Sequence, residues 1–291
     1  MEKIVKICVI GIDGQLARSL SVHQNVKCFG RKKIDLLDGD KTISFAENID
    51  ASVVVNAAGY TSVDRAETEP LIAHEVNANS VGAIAKIFAK RKIPLIHVST
   101  DYVFDGKSDR PYTETDFPVP MNVYGETKLA SERFVEEAGG SYAIIRSSGI
   151  FSEFGSNFVA NMLRISVEEN TLNVVSDQKF DPTPASALAT AIMTISSQLV
   201  ANPEKSGIFH FSGKPTTNWA DFARHIFEIS GTKLNVNNIS LDEWPGDAIR
   251  PLNTSLCCKK IERTFGITQC LWVNELKRVV ITLKDRCQKV V

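Results

Sequence analysis

Through the first half of the chain, short apolar runs alternate with longer stretches in which apolar residues recur every three or four positions. That alternation predicts strands joined by helices, the pattern of repeated βαβ units and a parallel sheet. Strands are predicted at residues 6–10, 27–30, 52–56, 95–99 and 142–146. Each is apolar nearly throughout except at its carboxyl end, as expected of strands covered on both faces. Ligands of open α/β sheets bind at that end. The clearest helical patterns cover 72–91 and 124–138. After Arg146 the texture changes: a loop is predicted at 149–156, an amphipathic helix at 157–169, a proline-punctuated turn at 177–184, a strand at 207–211, and helices at 219–230 and 273–285. Pro245-Gly246 and Arg250-Pro251 mark loops.

The chain has 291 residues and 32.0 kDa, room for one large α/β domain with a smaller companion. Its formal net charge of −1 offers no basic excess for a phosphate backbone, so nucleic acid is not expected as a partner. Small-molecule ligands fit better. The opening Met1-Glu2-Lys3 leads into an apolar run ending at Ile10, too short for a signal peptide and followed by glycine. No stretch approaches the roughly 20 apolar residues that a bilayer requires. Cys8, Cys28, Cys257, Cys258, Cys270 and Cys287 form no C-x-x-C pair and no metal-ligand spacing. Free thiols in the cytoplasm, and no metal, are the expectation.

Between the first strand and a helical run lies Gly11-Ile12-Asp13-Gly14-Gln15-Leu16-Ala17, the context in which a dinucleotide loop belongs. Gly11 permits the tight turn, Gly14 lets backbone N–H groups approach a pyrophosphate, and Ala17 is small enough for helix-strand packing. The expected fold is therefore a Rossmann-type, doubly wound parallel sheet. It assigns an NADP-binding domain to 1–148 with later returns near 184–212, and a smaller interleaved substrate-binding domain mainly to 149–291. NAD sites place a carboxylate at the end of the second strand. Here Gly30 holds that position, followed by Arg31, Lys32 and Lys33, suited to a 2′-phosphate. NADPH is the expected cofactor, with NADH as the alternative.

Tyr124 and Lys128 lie four apart in a helical pattern and project from one face. A neighbouring ammonium lowers a phenol's pKa from about 10 toward the range useful for proton transfer. The run Ser99-Thr100-Asp101-Tyr102 leaves the carboxyl end of an apolar strand, where hydroxyls face the ligand crevice. Thr100 could donate to a carbonyl oxygen and orient the tyrosine. His97 and His210 sit in apolar strands and read as core residues or as supports behind the site, rather than as catalysts or ligands, since neither has a partner at metal spacing. Trp219 reads as packing at a helix start with Asn218 as cap, and Glu67, Glu69 and Pro70 as a solvated helix entry.

The chain resembles the dTDP-4-dehydrorhamnose reductase family of extended short-chain dehydrogenases. The likeness rests on the Gly11 to Leu16 loop, Asn56-Ala57-Ala58-Gly59-Tyr60-Thr61-Ser62-Val63-Asp64, the Ser99 to Gly106 segment and Tyr124-Gly125-Glu126-Thr127-Lys128. It continues through Asn157-Phe158-Val159, Asp177-Gln178, Pro182-Thr183 and Arg250-Pro251 with Asn253. The resemblance implies Thr100, Tyr124 and Lys128 as the catalytic set. It implies cofactor contacts from Gly11, Asp13, Gly14, Gln15, Leu16, Gly30, Arg31, Asp35, Leu36, Ala57, Ala58, Tyr60 and Asn77, with Tyr124 and Lys128. Thr61, Val63, Tyr102, Gly149 and Arg250 would meet the sugar.

The implied reaction is hydride transfer to C4 of a nucleotide-linked 4-keto-6-deoxy sugar, with Tyr124 protonating the alkoxide. A homodimer fits the same family. Two departures fall at the sugar site. Arg146-Ser147-Ser148-Gly149 stands where the family reads Arg-Thr-Ser-Trp, and Phe180 stands where it keeps glycine. Phe180, or else Phe151, is expected to replace the missing aromatic; the alternative is a pocket enlarged for another sugar. A different 4-keto-sugar reductase, a 4-epimerase and a non-catalytic NADP-binding subunit like that of methionine adenosyltransferase remain the competing readings.

Overall fold

The computed structural model describes residues 5–288. Met1 to Ile4, Lys289 to Val291 and the side chains of Cys287 and Gln288, and with them the expectations for those positions, lie outside the described residues. In chain order the first half contains β1 (Ile7–Ile10), α1 (Gln15–Leu20), β2 (Val26–Phe29), α2 (Gly39–Asn48), β3 (Val53–Asn56), α3 (Val63–Thr68), α4 (Pro70–His74), α5 (Ser80–Lys90), β4 (Leu95–Thr100), α6 (Val123–Glu137) and β5 (Tyr142–Ser147). The five predicted strands are therefore present to within a residue or so. A sixth, β10 (Gly207–His210), returns late and pairs with β5. The sheet order is β2-β1-β3-β4-β5-β10, parallel throughout.

The sheet grows one way from β1 to β2 and the other way from β1 to β3. A crevice opens at their carboxyl ends, where such a reversal places a ligand. Branched side chains of β1 and β3 are wholly buried because both faces are covered. On one face, Leu16 and Leu20 of α1 meet Leu188, Ile192, Ile195 and Leu199 of α8 (Ala185–Ala201). On the other, Ile84 and Phe88 of α5 and Val135 of α6 cover Cys8, Val54 and Ile144.

A second core sits beyond the crevice. Phe151 of β6 (Ile150–Phe151), Val159 and Met162 of α7 (Phe158–Ile165), Phe222 and Phe227 of α9 (Trp219–Ser230), and Trp272 and Leu276 of α11 (Trp272–Gln288) pack together with Phe180. Each large apolar side chain buried there contributes about 1.5–3 kcal/mol relative to exposure. Short ladders frame it: β6 pairs with β9 (Thr183–Pro184), β7 (Thr171–Val175) with β12 (Asn235–Ile239), and β8 (Lys179–Phe180) with β11 (Thr217–Asn218). The predicted loop at 149–156 thus contains a strand, and the turn at 177–184 contains two. No described helix is long and apolar enough to cross a membrane.

The helix predicted at 72–91 differs most. Between α4 and α5 the chain makes a π turn over Glu75–Asn79. One extra residue in that turn rotates Asn77 inward. Its amide donates to the Tyr60 carbonyl (3.0 Å) and the Thr127 hydroxyl (3.1 Å), and its oxygen accepts from the Tyr60 N–H (2.8 Å). The distortion ties the loop after β3 to α6, and both border the crevice.

Candidate active site

The crevice is a cleft of about 670 Å³. Its floor is made where β4 ends and α6 begins. Thr100 closes β4 and caps the short 3₁₀ turn Asp101–Val103, its hydroxyl accepting from the Tyr102 N–H at 3.1 Å. Asn122 caps α6 by accepting from the Gly125 N–H at 2.8 Å, which fixes where that helix starts. Any side chain at Gly125 would run into the Tyr102 carbonyl. Glycine therefore lets α6 press against the turn and brings Tyr124 edge-on to Tyr102, ring centres 6.0 Å apart. Thr100, Asp101, Tyr102, Tyr124 and Lys128 all line the cleft.

The electrostatics correct one expectation. Burial pushes the Tyr124 phenol upward, the charges of Asp101 and Tyr102 push the same way, and the Thr100 hydroxyl opposes them. The Lys128 ammonium rests elsewhere and does not offset this rise: it donates to the Val98 carbonyl at 2.7 Å and lies 3.3 Å from His97 Nε2. A buried ammonium must be hydrogen-bonded, and here the β4 backbone supplies the acceptor. Burial lowers Lys128 to about 8, against the pull of Glu132. Tyr124 is thus held as a neutral phenol, suited to giving a proton. Tyr102 is pushed up to about 12, chiefly by burial.

His97 takes the supporting one of its two expected roles. Asn56 Oδ1 accepts from the Ala58 N–H, so its amide nitrogen faces His97 Nδ1 at 3.2 Å. His97 Nε2 reaches Ser131 at 2.9 Å. The ring therefore braces Lys128 from behind, and burial keeps it neutral by lowering its pKa well below the usual value. His210 is packed in the core as expected, on the Tyr112 carbonyl (3.1 Å).

At one end of the cleft, Asp13, Gly14, Gln15 and Leu16 face Ala57, Ala58 and Asn77. Gly14 begins α1 with no side-chain cap, which leaves the first-turn N–H groups for a ligand. That opening fits a pyrophosphate. Gln15 also binds across to the second core, donating to the Ile150 carbonyl (3.2 Å) and accepting from Ser152 (2.9 Å). Gly11, Gly30, Arg31, Asp35 and Leu36 lie outside the cleft lining, around the end of β2. Arg31 is exposed, Asp35 turns its carboxylate to the Leu37 N–H (3.2 Å), and Leu36 is buried in the core. Arg31, Lys32 and Lys33 make no ion pair among the described residues.

At the other end stand Thr61, Val63, Tyr102, Gly149, Gln178 and Phe180. Gly149 has φ +47°, and an added Cβ would lie 2.5 Å from the Phe180 ring. Phe180 stacks on Trp219 (3.8 Å between ring centres), whose indole N–H donates to Gln178 at 2.8 Å. Phe180, rather than Phe151, therefore stands against Gly149. Two predicted residues face elsewhere: Tyr60 donates to Glu69 (2.6 Å), and Arg250 pairs with Asp64 (2.6 Å). Glu67 accepts from the Val123 N–H at 2.9 Å, so it anchors α6 and is not merely solvated. Trp219, read as packing, and Gln178 line the cleft. An aromatic beside a helix cap carries no sequence mark of which cavity it faces.

The chain matches the family model described as RmlD substrate binding domain over residues 5–284. It is 39% identical over 289 residues to the dTDP-4-dehydrorhamnose reductase of Sinorhizobium fredii, covering 96% of this chain and 98% of that one. Among solved structures it is similar to a dTDP-4-dehydrorhamnose reductase from Clostridium acetobutylicum, with TM-score 0.89, 30% identity and coverage of 96% and 99%. The Bacillus anthracis enzyme in complex with NADP gives TM-score 0.88 at the same identity and coverage.

Proposed function

The chain belongs to the RmlD family of dTDP-4-dehydrorhamnose reductases, and from that premise we propose that it reduces dTDP-4-dehydro-L-rhamnose to dTDP-L-rhamnose with NADPH. The observation that carries this reading is the meeting of Thr100, Tyr124 and Lys128 with the Asp13 to Leu16 loop in one cleft. Bound NADPH supplies the hydride that reduces the C4 ketone. Tyr124, neutral and buried, gives its phenolic proton to the C4 oxygen as charge develops there. Lys128, on the same face of α6 as Tyr124, would hold the nicotinamide ribose and steady the phenolate left behind.

The Gly14 opening of α1 takes the pyrophosphate, and Gly11, Ala57, Ala58, Asp35 and Leu36 flank the adenosine. Gly30 gives room beside Arg31 for the 2′-phosphate. In this reading the first core's domain holds the cofactor and the second core's domain the sugar, near Thr61, Val63 and Tyr102. The proposed setting is the cytoplasm. NADPH and NADH oxidation, measured with a panel of nucleotide 4-keto-6-deoxy sugars, tests the assignment. The expected best pair is dTDP-4-dehydrorhamnose with NADPH; an equal or higher kcat/KM with NADH would remove the role given to Arg31.

Phe180 is proposed as this chain's substitute for the family's aromatic at Gly149. An aromatic over the sugar buries about 150 Å², up to roughly 4 kcal/mol at 25 cal/mol per Å². Gly149→Trp drives a second ring into Phe180, an overpacking of about 1–3 kcal/mol. The single variant should lose about tenfold or more in kcat/KM for dTDP-4-dehydrorhamnose. Adding Phe180→Gly should return much of that loss. A several-fold gain from Gly149→Trp alone would instead mark a pocket shaped for a larger sugar.

A further inference from the structure

Thr100 has one proton and two lone pairs to distribute. One lone pair is taken by the Tyr102 N–H at 3.1 Å. The proton goes to Asp101 Oδ1 at 3.0 Å. While its proton rests on Asp101, that hydroxyl cannot give it to a reacting carbonyl oxygen; the Tyr124 oxygen lies within reach of the same hydroxyl. An ionised carboxylate is acceptor-only, so it holds Thr100 in that direction. A protonated carboxyl could reverse the bond, donating to the free lone pair of Thr100 and turning the hydroxyl's own proton toward the cleft.

We propose that Asp101 is a positioning residue whose protonation state sets the direction of the Thr100 hydroxyl, and so decides whether Thr100 can donate to the C4 oxygen. The claim rests on the reductase reading above. Asp101 is 4% exposed and lines the cleft. No lysine, arginine or histidine is hydrogen-bonded or ion-paired to it among the described residues. Lys128 is held by the Val98 carbonyl and Arg250 by Asp64. The groups that face Asp101 are the hydroxyls of Thr100, Ser148 and Thr254 and the phenols of Tyr102 and Tyr124.

Burial without a counter-cation raises its carboxyl to about 6, against those hydroxyls. Ser148 lies near enough to favour the carboxylate yet makes no hydrogen bond of normal length, a buried hydroxyl with its own bond still to make. The carboxyl is thus poised to change state where the enzyme works, beside the hydroxyl it directs. Protons balance without a further reactant: Asp101 binds one from solvent, and Thr100 keeps its own throughout.

Two measurements test this. In the wild-type protein, the Asp101 side-chain ¹³C resonance should titrate near pH 6, and kcat/KM with NADPH and dTDP-4-dehydrorhamnose should fall as pH rises through that value, by up to about 50-fold between pH 6 and 8 as the protonated fraction falls. Asp101→Asn removes the titrating group, and its kcat/KM should stay within about threefold across the same span. An Asp101 titration below pH 5, a wild-type profile without that limb, or an unchanged limb in Asp101→Asn would each overturn the proposal. If wild type reduces none of the 4-keto sugars, the functional reading fails. The carbon titration, repeated in Thr100→Val, then decides the coupling: loss of the Thr100 donor should raise the Asp101 midpoint, and no shift would refute it.

Discussion

Tyr124→Phe will lower kcat by about 10²-fold or more while the Kd for NADPH stays within a few-fold, because a positioned proton donor is worth roughly 10² to 10⁴. The substitution keeps the ring that packs edge-on against Tyr102 and removes only the hydroxyl. Asn122 and Gly125 fix the start of α6 and do not depend on that oxygen. Burial holds the phenol in its neutral form, so the loss should appear in the chemical step and not in binding. Steady-state kinetics with NADPH fluorescence titration separates the two. Retained kcat would take Tyr124 out of the reaction.

The largest expected effect on stability lies behind the cleft. Arg146 of β5 and Glu132 of α6 form an ion pair at 2.6 Å with side chains 3% and 1% exposed. Arg146 Nε adds bonds of 3.0 and 3.2 Å to the same carboxylate, Ser99 donates to it, and the guanidinium lies 5.1 Å from the Phe104 ring centre. Arg146→Ala leaves the Glu132 carboxylate buried without its cation. Breaking such a pair costs about 3–5 kcal/mol, or roughly 6–10 °C in Tm at about 2 °C per kcal/mol. Removing both charges together, as in Arg146→Met with Glu132→Leu, should cost less than the single change. Calorimetry that found the double variant no better than Arg146→Ala would contradict this account of the pair.

The carboxyl ends of β4 and β5 serve both the proton donor and the buried ion pair, and part of that sheet was legible in the sequence. β1, β3, β4 and β5 showed as apolar runs since each is covered on both faces, and the Thr100, Tyr124 and Lys128 positions followed from strand ends and helical spacing. The π turn was not visible: a single added residue leaves the apolar rhythm of 72–91 almost intact while turning Asn77 inward. α8 is buried so widely that it shows little polar face to read. β7 and β12 are partly exposed strands, the second rich in asparagine, and lack clean alternation. The direction of the Lys128 ammonium was also beyond spacing arguments. An i, i+4 relation places Lys128 on the face of Tyr124, but the Val98 carbonyl, thirty residues away in sequence, decides where the charge rests.

The central claim is hydride delivery to C4 of the sugar from a cleft in which Tyr124 supplies the proton. Incubation of the protein with NADPH deuterated at the transferable position and with dTDP-4-dehydrorhamnose, followed by NMR of the product, tests it most directly. The account predicts dTDP-L-rhamnose carrying one deuterium, at C4, and no more than a few per cent of that label in a parallel reaction of Tyr124→Phe stopped at the time of wild-type completion. Consumption of the sugar without deuterium at C4, or equal labelling by Tyr124→Phe in that time, would contradict it.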